Sequence, residues 1–223
     1  MQPTEELFDQ FTALYDAWFE SPQGHPVFES EVRCLRPLLA DQPRPQLDVG
    51  VGTGRFAQVL GADVGIDPAR GALRLAATRN VPAVQARGEA LPFKDAQFGV
   101  VLVVVTLCFA PLPLALLREC RRVLADNGRV IVGLVLADSP WGRFYRELAR
   151  DGHRFYSRAR FYSMQEMTRL ASGAGLTISG GYSTLFQLPG VAPVAIEEPL
   201  EGITHQAGFV AMCLTKAQRE ARD

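Results

Sequence analysis

The stretch Leu47-Asp48-Val49-Gly50-Val51-Gly52-Thr53-Gly54-Arg55-Phe56 constrains this chain more than any other. Apolar residues lead in, three glycines follow at alternate positions, and an apolar-periodic segment leaves. That is the pattern of a strand, a tight loop and a helix. Glycine lacks a Cβ, so the backbone there can turn sharply and approach a ligand within van der Waals contact. The N–H groups that open the next helix favour a carboxylate or a phosphate. A tight strand-to-helix turn without a ligand would use the same residues, so the loop alone leaves both readings open. Its spacing is G-x-G-x-G with an acid two residues ahead, which differs from the dinucleotide fingerprint G-x-G-x-x-G.

The same alternation continues. Strands are predicted at 46–49, 63–66, 81–85, 100–105 and 130–136, with helices between them near 56–60, 68–79 and 114–124. Alternating elements imply an α/β, doubly wound, mostly parallel sheet with right-handed crossovers. The uncharged run Gly99–Leu117 is long enough to span a bilayer. Its β-branched first half and Pro111 and Pro113 make it a buried strand followed by a loop. Asp126-Asn127-Gly128 predicts a turn. Ser163-Met164-Gln165-Glu166 is a capping box opening a helix that ends near Gly173–Gly175. Residues 176–188, with Gly180-Gly181 as a bulge, and 208–215 complete the sheet, and their short glycine-bearing connections predict an antiparallel end.

Two flanking segments differ from this core. Residues 1–31 hold seven acids and no lysine or arginine, and Leu7, Phe8, Phe11, Leu14, Tyr15 and Trp18 recur at helical spacing. A second helix over 29–39 has Val32, Leu35 and Leu39 inward. The segment Trp141–Arg169 carries seven arginines among aromatic residues. Those arginines would grip an anionic aromatic acceptor, stack RNA bases, or stand in solvent facing the acidic segment. The expected organisation is a single domain of 223 residues. It comprises a helical cap (1–40), a core (46–137), a lid (138–165), and a C-terminal helix with antiparallel strands (166–223). Cap and lid are expected to lie on the same side of the sheet and to cover one pocket.

Net charge is −1, from 23 basic and 24 acidic residues, which argues against nucleic acid and anionic membranes as partners. Cys34, Cys108, Cys120 and Cys213 are scattered, which suits neither a disulfide framework nor a metal site and fits a reducing cytoplasm. The acidic start lacks the basic and apolar regions of a signal peptide.

Asp67-Pro68 closes the second strand seventeen residues after Gly50. Its carboxylate suits both hydroxyls of a ribose, or equally a helix N-cap with Pro68 at the first helical position. Gly88-Glu89-Ala90-Leu91-Pro92-Phe93 follows the third strand. Together with the glycine loop, the strand Val100–Thr106 and the run Leu117–Gly128, these residues resemble the class I S-adenosylmethionine-dependent methyltransferases, particularly the UbiE-like small-molecule branch. The resemblance covers residues 46–137. It implies a seven-stranded Rossmann-like methyltransferase sheet with the last strand antiparallel, and S-adenosyl-L-methionine as cofactor. On that resemblance Gly50, Gly52 and Gly54 pack against the methionine part, with Asp48 near its amino end. Asp67, beside Pro68, takes the ribose, while Glu89, Ala90 and Leu91 bound the adenine. Thr106 and Leu107 flank the sulfonium. One departure is Phe98-Gly99, where the family commonly has Phe-Asp.

The sulfonium methyl is already activated, so transfer needs mainly a positioned nucleophile and excluded water. No catalytic signature stands out. Where an acceptor must lose a proton, Tyr15, His25, His153, Tyr156 and His205 are the candidate bases, with Tyr15, His153 and Tyr156 foremost. The expected partner is a small-molecule acceptor, and the expected assembly a monomer or homodimer. A non-catalytic S-adenosylmethionine binder and an NAD(P)-linked oxidoreductase are the alternatives. The oxidoreductase would want its third glycine one position later and a hydride-site partner.

Overall fold

The computed structural model describes residues 4–217. The first three and last six residues, the ends of the expected cap and C-terminal segment, lie outside the described residues. The parallel half of the sheet holds β1 (Gln46–Val49), β2 (Val64–Asp67), β3 (Ala83–Gln85), β4 (Phe98–Val104) and β5 (Leu124–Leu134). The other half is β6 (Leu176–Thr184), β7 (Leu200–Glu201) and β8 (Phe209–Lys216), and the spatial order is β3-β2-β1-β4-β5-β8-β6-β7. β8 runs antiparallel between β5 and β6, as expected of the last strand.

The sheet has eight strands, which corrects the expected seven. The extra one is the two-residue β7, which pairs Leu200 and Glu201 with Ser183 and Tyr182 along the otherwise open edge of β6. So short a pair leaves no alternating pattern in the sequence. The expected turn at Asp126–Gly128 is also corrected. The residues lie inside β5, where the pairing jumps from Phe98↔Leu124 to Val100↔Arg129, so they form a bulge rather than a break. The predicted bulge in β6 is present, between Ile178 and Gly180.

β4 explains the uncharged run, because all seven of its residues are buried. Val101 and Val103 face one core layer, while Val100, Leu102 and Val104 face the other, the two-residue alternation of a strand covered on both sides. The first layer is closed by α5 (Pro113–Val123) and α7 (Met164–Gly173), the latter opened by the capping box at Ser163 and Glu166. The second is closed by α2 (Gly24–Leu39) and α6 (Pro140–Arg150). α1 (Thr4–Trp18), α3 (Arg55–Leu60) and α4 (Arg70–Thr78) complete the described helices of more than one turn. No helix among the described residues is long and apolar enough to cross a membrane.

Gly99 has a steric reason. A Cβ there would lie 2.0 Å from the Pro43 carbonyl oxygen, and the Gly99 N–H donates to the Pro45 oxygen at 2.9 Å. The proline-rich segment that delivers the chain into β1 therefore runs across the start of β4, leaving no room for an aspartate.

Candidate active site

The glycine loop is fastened at its start to the neighbouring strand. The N–H groups of Gly50 and Val51 both donate to the Ile66 oxygen, at 2.8 and 2.9 Å, which ties the end of β1 to the end of β2. At Gly50 the backbone has φ +77°, and an added Cβ would meet the Thr106 Cγ2 at 2.3 Å. Thr106 can thus approach the loop only because position 50 is bare, and its hydroxyl donates to the Gly50 oxygen at 3.3 Å. Gly52 is the reverse case: a Cβ there would meet nothing nearer than the Gly50 oxygen at 4.0 Å, so its bare surface faces open space.

Asp67 joins the two sides of this crevice. Its Oδ2 accepts from the Gly52 N–H at 3.0 Å and its Oδ1 from the Ala69 N–H at 2.8 Å. Ala69, not Asp67, is the N-cap of α4, so the carboxylate brackets the loop against the helix start instead of capping the helix itself. Each carboxylate oxygen keeps a further lone pair for another donor. Desolvation raises the Asp67 carboxyl to about 6 against the pull of those two N–H groups.

These elements enclose a cavity of about 420 Å³, within the usual size of a small-molecule site. Of the residues expected at the cofactor, Gly50, Gly52, Asp67, Pro68, Glu89 and Thr106 line it. Asp48, Gly54, Ala90, Leu91 and Leu107 do not reach its wall, and each has a physical reason. Asp48 is buried within β1, where desolvation and the Asp67 charge push its carboxyl up to about 7. Gly54 packs against Ala76, whose Cα would be 3.0 Å from an added Cβ. Leu91 and Leu107 belong to the hydrophobic core, and Ala90 is exposed. The loop carrying Glu89 is held from α5. Arg122 donates to the Leu91 and Phe93 oxygens at 3.0 and 2.9 Å, and Glu119 accepts from the Leu91 N–H at 2.8 Å.

Helix α1 lies over this cavity, and its acids hold it there. Asp16 accepts from Arg55 Nε and Nη2 at 2.9 and 2.7 Å and from Arg79 Nη2 at 2.8 Å, while Arg79 Nη1 donates to the Thr53 oxygen of the loop at 2.8 Å. Desolvation would raise the Asp16 carboxyl. The hydrogen bonds from Arg55, Thr53 and Arg79 outweigh it and hold the group well below the usual carboxylate range. Glu5 pairs with Arg87 and Glu20 with Arg55. Glu5, Asp16 and Glu20 are therefore neutralised by arginines of the core, not by those of the 141–169 segment. That segment meets α1 through rings instead. Phe155 stacks on Phe8 with centroids 5.4 Å apart and meets Tyr15 edge-on at 5.5 Å, so both covering elements lie on the same side.

A second chamber, of about 710 Å³, adjoins the first. Tyr15, Phe19, Phe56, Val105 and Phe109 line both. One wall is a column of rings: His153 on Tyr156 and Tyr156 on Tyr145, each pair with centroids 4.3 Å apart, and then Phe161. Of the five candidate bases, Tyr15, His153 and Tyr156 line this chamber, while His25 and His205 are exposed and line neither cavity. Desolvation raises the Tyr15 hydroxyl far above its ordinary value and pushes Tyr156 up to about 12, so both are hydrogen-bond donors at neutral pH rather than bases. Desolvation, with Arg154 nearby, lowers His153. No group of three metal-ligating side chains is found among the described residues.

The chamber also holds Glu31, a residue passed over as one more acid of the N-terminal run. It is 7% exposed, lines the chamber, and has no hydrogen-bond partner among the described residues. The signal was its spacing: Glu31 lies four residues from both Val27 and Leu35, on the buried face of α2.

A family model described as a methyltransferase domain matches residues 47–132. A Thermotoga maritima S-adenosylmethionine-dependent methyltransferase, described as a possible histamine N-methyltransferase, superposes with a TM-score of 0.87. It is 33% identical, over 95% of this chain and 99% of that one. The chain belongs to the S-adenosylmethionine-dependent methyltransferase family. An uncharacterized protein of Mycobacterium tuberculosis is 42% identical over 221 residues, 99% of this chain and 78% of the relative. Another of Methanocaldococcus jannaschii is 31% identical over 212 residues, 94% and 98%. The methyltransferase match covers the strand–loop–helix units and stops just short of the end of β5. The chamber residues on α1, α2, α6 and the 152–161 segment lie outside it, whereas Phe56, Val105, Cys108 and Phe109 lie within it.

Proposed function

We propose that the chain transfers the methyl group of S-adenosylmethionine to a small-molecule acceptor held in the aromatic chamber, with the cofactor in the adjoining 420 Å³ cavity. One observation carries this reading: the two cavities share a wall at Tyr15, Phe19, Phe56, Val105 and Phe109, so ligands in each would meet there. The cavity walls suit the cofactor. The bare Gly52 leaves space that a side chain would fill, and Asp67 keeps free lone pairs for the ribose hydroxyls. Gly50, Thr106, Pro68 and Glu89 complete the cradle. When bound, the cofactor supplies a methyl group already activated by positive sulfur.

The protein's own task is then placement and dryness. α1 and the 138–165 lid wall both cavities, α1 held by its ion pairs to Arg55 and Arg79 and the lid by Phe155 against Phe8. The tyrosine hydroxyls hold hydrogen bonds without giving up protons. We read 1–40 as cap, 46–137 as core, 138–165 as lid and 166–223 as the closing helix and strands of one domain. The motif Glu89–Phe93 supports the UbiE-like branch, and the four free cysteines support a reducing, cytoplasmic setting.

Calorimetric titration with S-adenosylmethionine, S-adenosylhomocysteine and NAD tests the reading. Binding of the first two and not the third is expected, and heat with NAD alone would overturn it.

A further inference from the structure

The chamber's polarity is peculiar. Most of its wall is ring or aliphatic surface, and deep within it stands one carboxyl, Glu31, buried and unpartnered. A carboxyl in such a place costs free energy unless something pairs with it. No cation among the described residues does: of the basic groups at the chamber, Arg154 is exposed with its guanidinium 3.8 Å from the Phe11 ring centroid, and His153 is exposed on Tyr156. The other titratable groups around Glu31 are Tyr15 from α1, Tyr145 from α6, Tyr156 from the lid and Cys108 from the turn after β4. All four are neutral at physiological pH, since burial raises each of them. The arrangement is an aromatic box with an acid at its base. Ring faces attract cations, and a buried carboxylate completes the pair that a desolvated cation needs. An anionic acceptor would be desolvated among rings with no cation to pair it and would hold Glu31 protonated, and a purely apolar one would leave the acid unpaired.

We infer that the acceptor is an amine with an apolar body, gripped by the tyrosine rings and bonded through its nitrogen to Glu31. Burial holds Glu31 as the neutral acid in the empty box, so an alkylammonium ion that enters displaces that proton to water and pairs with the carboxylate; return of one N–H proton to Glu31 then leaves a neutral amine with a free lone pair beside the neutral acid, one proton having been released overall. The inference rests on the reading of the second chamber as the acceptor site. The carboxyl has a suitable basicity for this exchange, since desolvation raises it to about 8.

The test is calorimetry on the whole chain, alone and loaded with S-adenosylhomocysteine, using 2-phenylethylamine, 2-phenylethanol and 3-phenylpropionate as probes. The amine is expected to bind at least about tenfold tighter than the alcohol, and the carboxylate not at all. Glu31→Gln should remove that preference, weakening the amine about tenfold or more while leaving the alcohol and S-adenosylhomocysteine unchanged. Failure of the amine to bind, tighter binding of the carboxylate, or an amine preference that survives in Glu31→Gln would overturn the inference. If S-adenosylhomocysteine itself fails to bind, the methyltransferase reading falls, while the three probes still decide the chamber's preference. Far-ultraviolet circular dichroism of Glu31→Gln, with Glu31→Asp as a second variant expected to restore part of the preference, separates loss of the site from loss of the fold.

Discussion

Glu31→Gln makes a stability prediction in the absence of any ligand. Desolvation lifts the Glu31 carboxyl from 4.5 to about 8 in the folded protein, whereas the unfolded chain titrates it near the ordinary value. Below pH 4.5 both states hold the proton and the buried acid costs nothing by ionisation. Between 4.5 and 8 the unfolded chain releases it while the folded one keeps it, so wild-type stability falls with rising pH. The slope is ~1.4 kcal/mol per pH unit and vanishes above 8, giving at most ~4–5 kcal/mol in total. Gln mimics the protonated acid and has no such dependence. The stability difference between Glu31→Gln and wild type should therefore be near zero at pH 4.5, grow steadily in favour of the variant, and level off above pH 8. Urea denaturation of both proteins at half-unit steps of pH measures it. A difference that stays flat from 4.5 to 8 would show that Glu31 is solvated or paired, and the physical basis of the amine box would be gone.

Asp67→Ala should weaken S-adenosylhomocysteine binding by ~1–3 kcal/mol in a calorimetric titration, because the bonds to Gly52 and Ala69 and the proposed ribose contact vanish together. Wild-type affinity for the same ligand should fall as the pH drops through 6, where Asp67 gains its proton and its acceptor capacity shrinks; an affinity constant from pH 5 to 7.5 would contradict this. Asp16→Asn should cost ~2–4 kcal/mol in urea unfolding, since it leaves Arg55 and Arg79 without their shared carboxylate in a site where all three side chains are under a fifth exposed. It should also speed proteolysis within residues 4–18. Gly99→Asp, which restores the acid common in the family, should destabilise by about 1–3 kcal/mol because its Cβ lands on the Pro43 oxygen. An unchanged denaturation midpoint would refute that steric account.

The parallel half of the sheet and α7 were legible because their elements carry local patterns: glycines where the loop must be bare, an all-apolar β4 buried on both faces, and Ser163 and Glu166 spaced as the cap of α7. Asp67 could be placed at the strand end, where the sequence posed ribose acceptor and helix N-cap as alternatives; in the structure Ala69 is the cap, and the Asp67 carboxylate accepts from the Gly52 and Ala69 N–H groups. What escaped was everything that depends on a long-range partner. The edge strand β7 exists only because β6 offers it hydrogen bonds. Asp126–Gly128 has turn composition but is absorbed by a bulge opposite Gly99 and Val100. The arginines that neutralise α1 sit on other elements, 39 and 63 residues from Asp16, beyond any local periodicity. Five expected cofactor residues lie off the cavity wall: Asp48, Leu91 and Leu107 are buried, Gly54 packs against Ala76, and Ala90 faces solvent.

Charge shows how far composition can mislead about a site. A net charge of −1 and an acid-rich N-terminus suggest a solvated face. In the structure those acids separate into two kinds with opposite physics. Asp16, bonded to two guanidiniums, is held ionised and fastens α1 across the cavity. Glu31, fifteen residues later, turns inward where no guanidinium follows, so burial favours its neutral form. The first arrangement stabilises a closed cover with no ligand present. The second leaves a buried acid without a hydrogen-bond partner among the described residues, and a chain whose purpose was packing alone would be more stable with a leucine at that position.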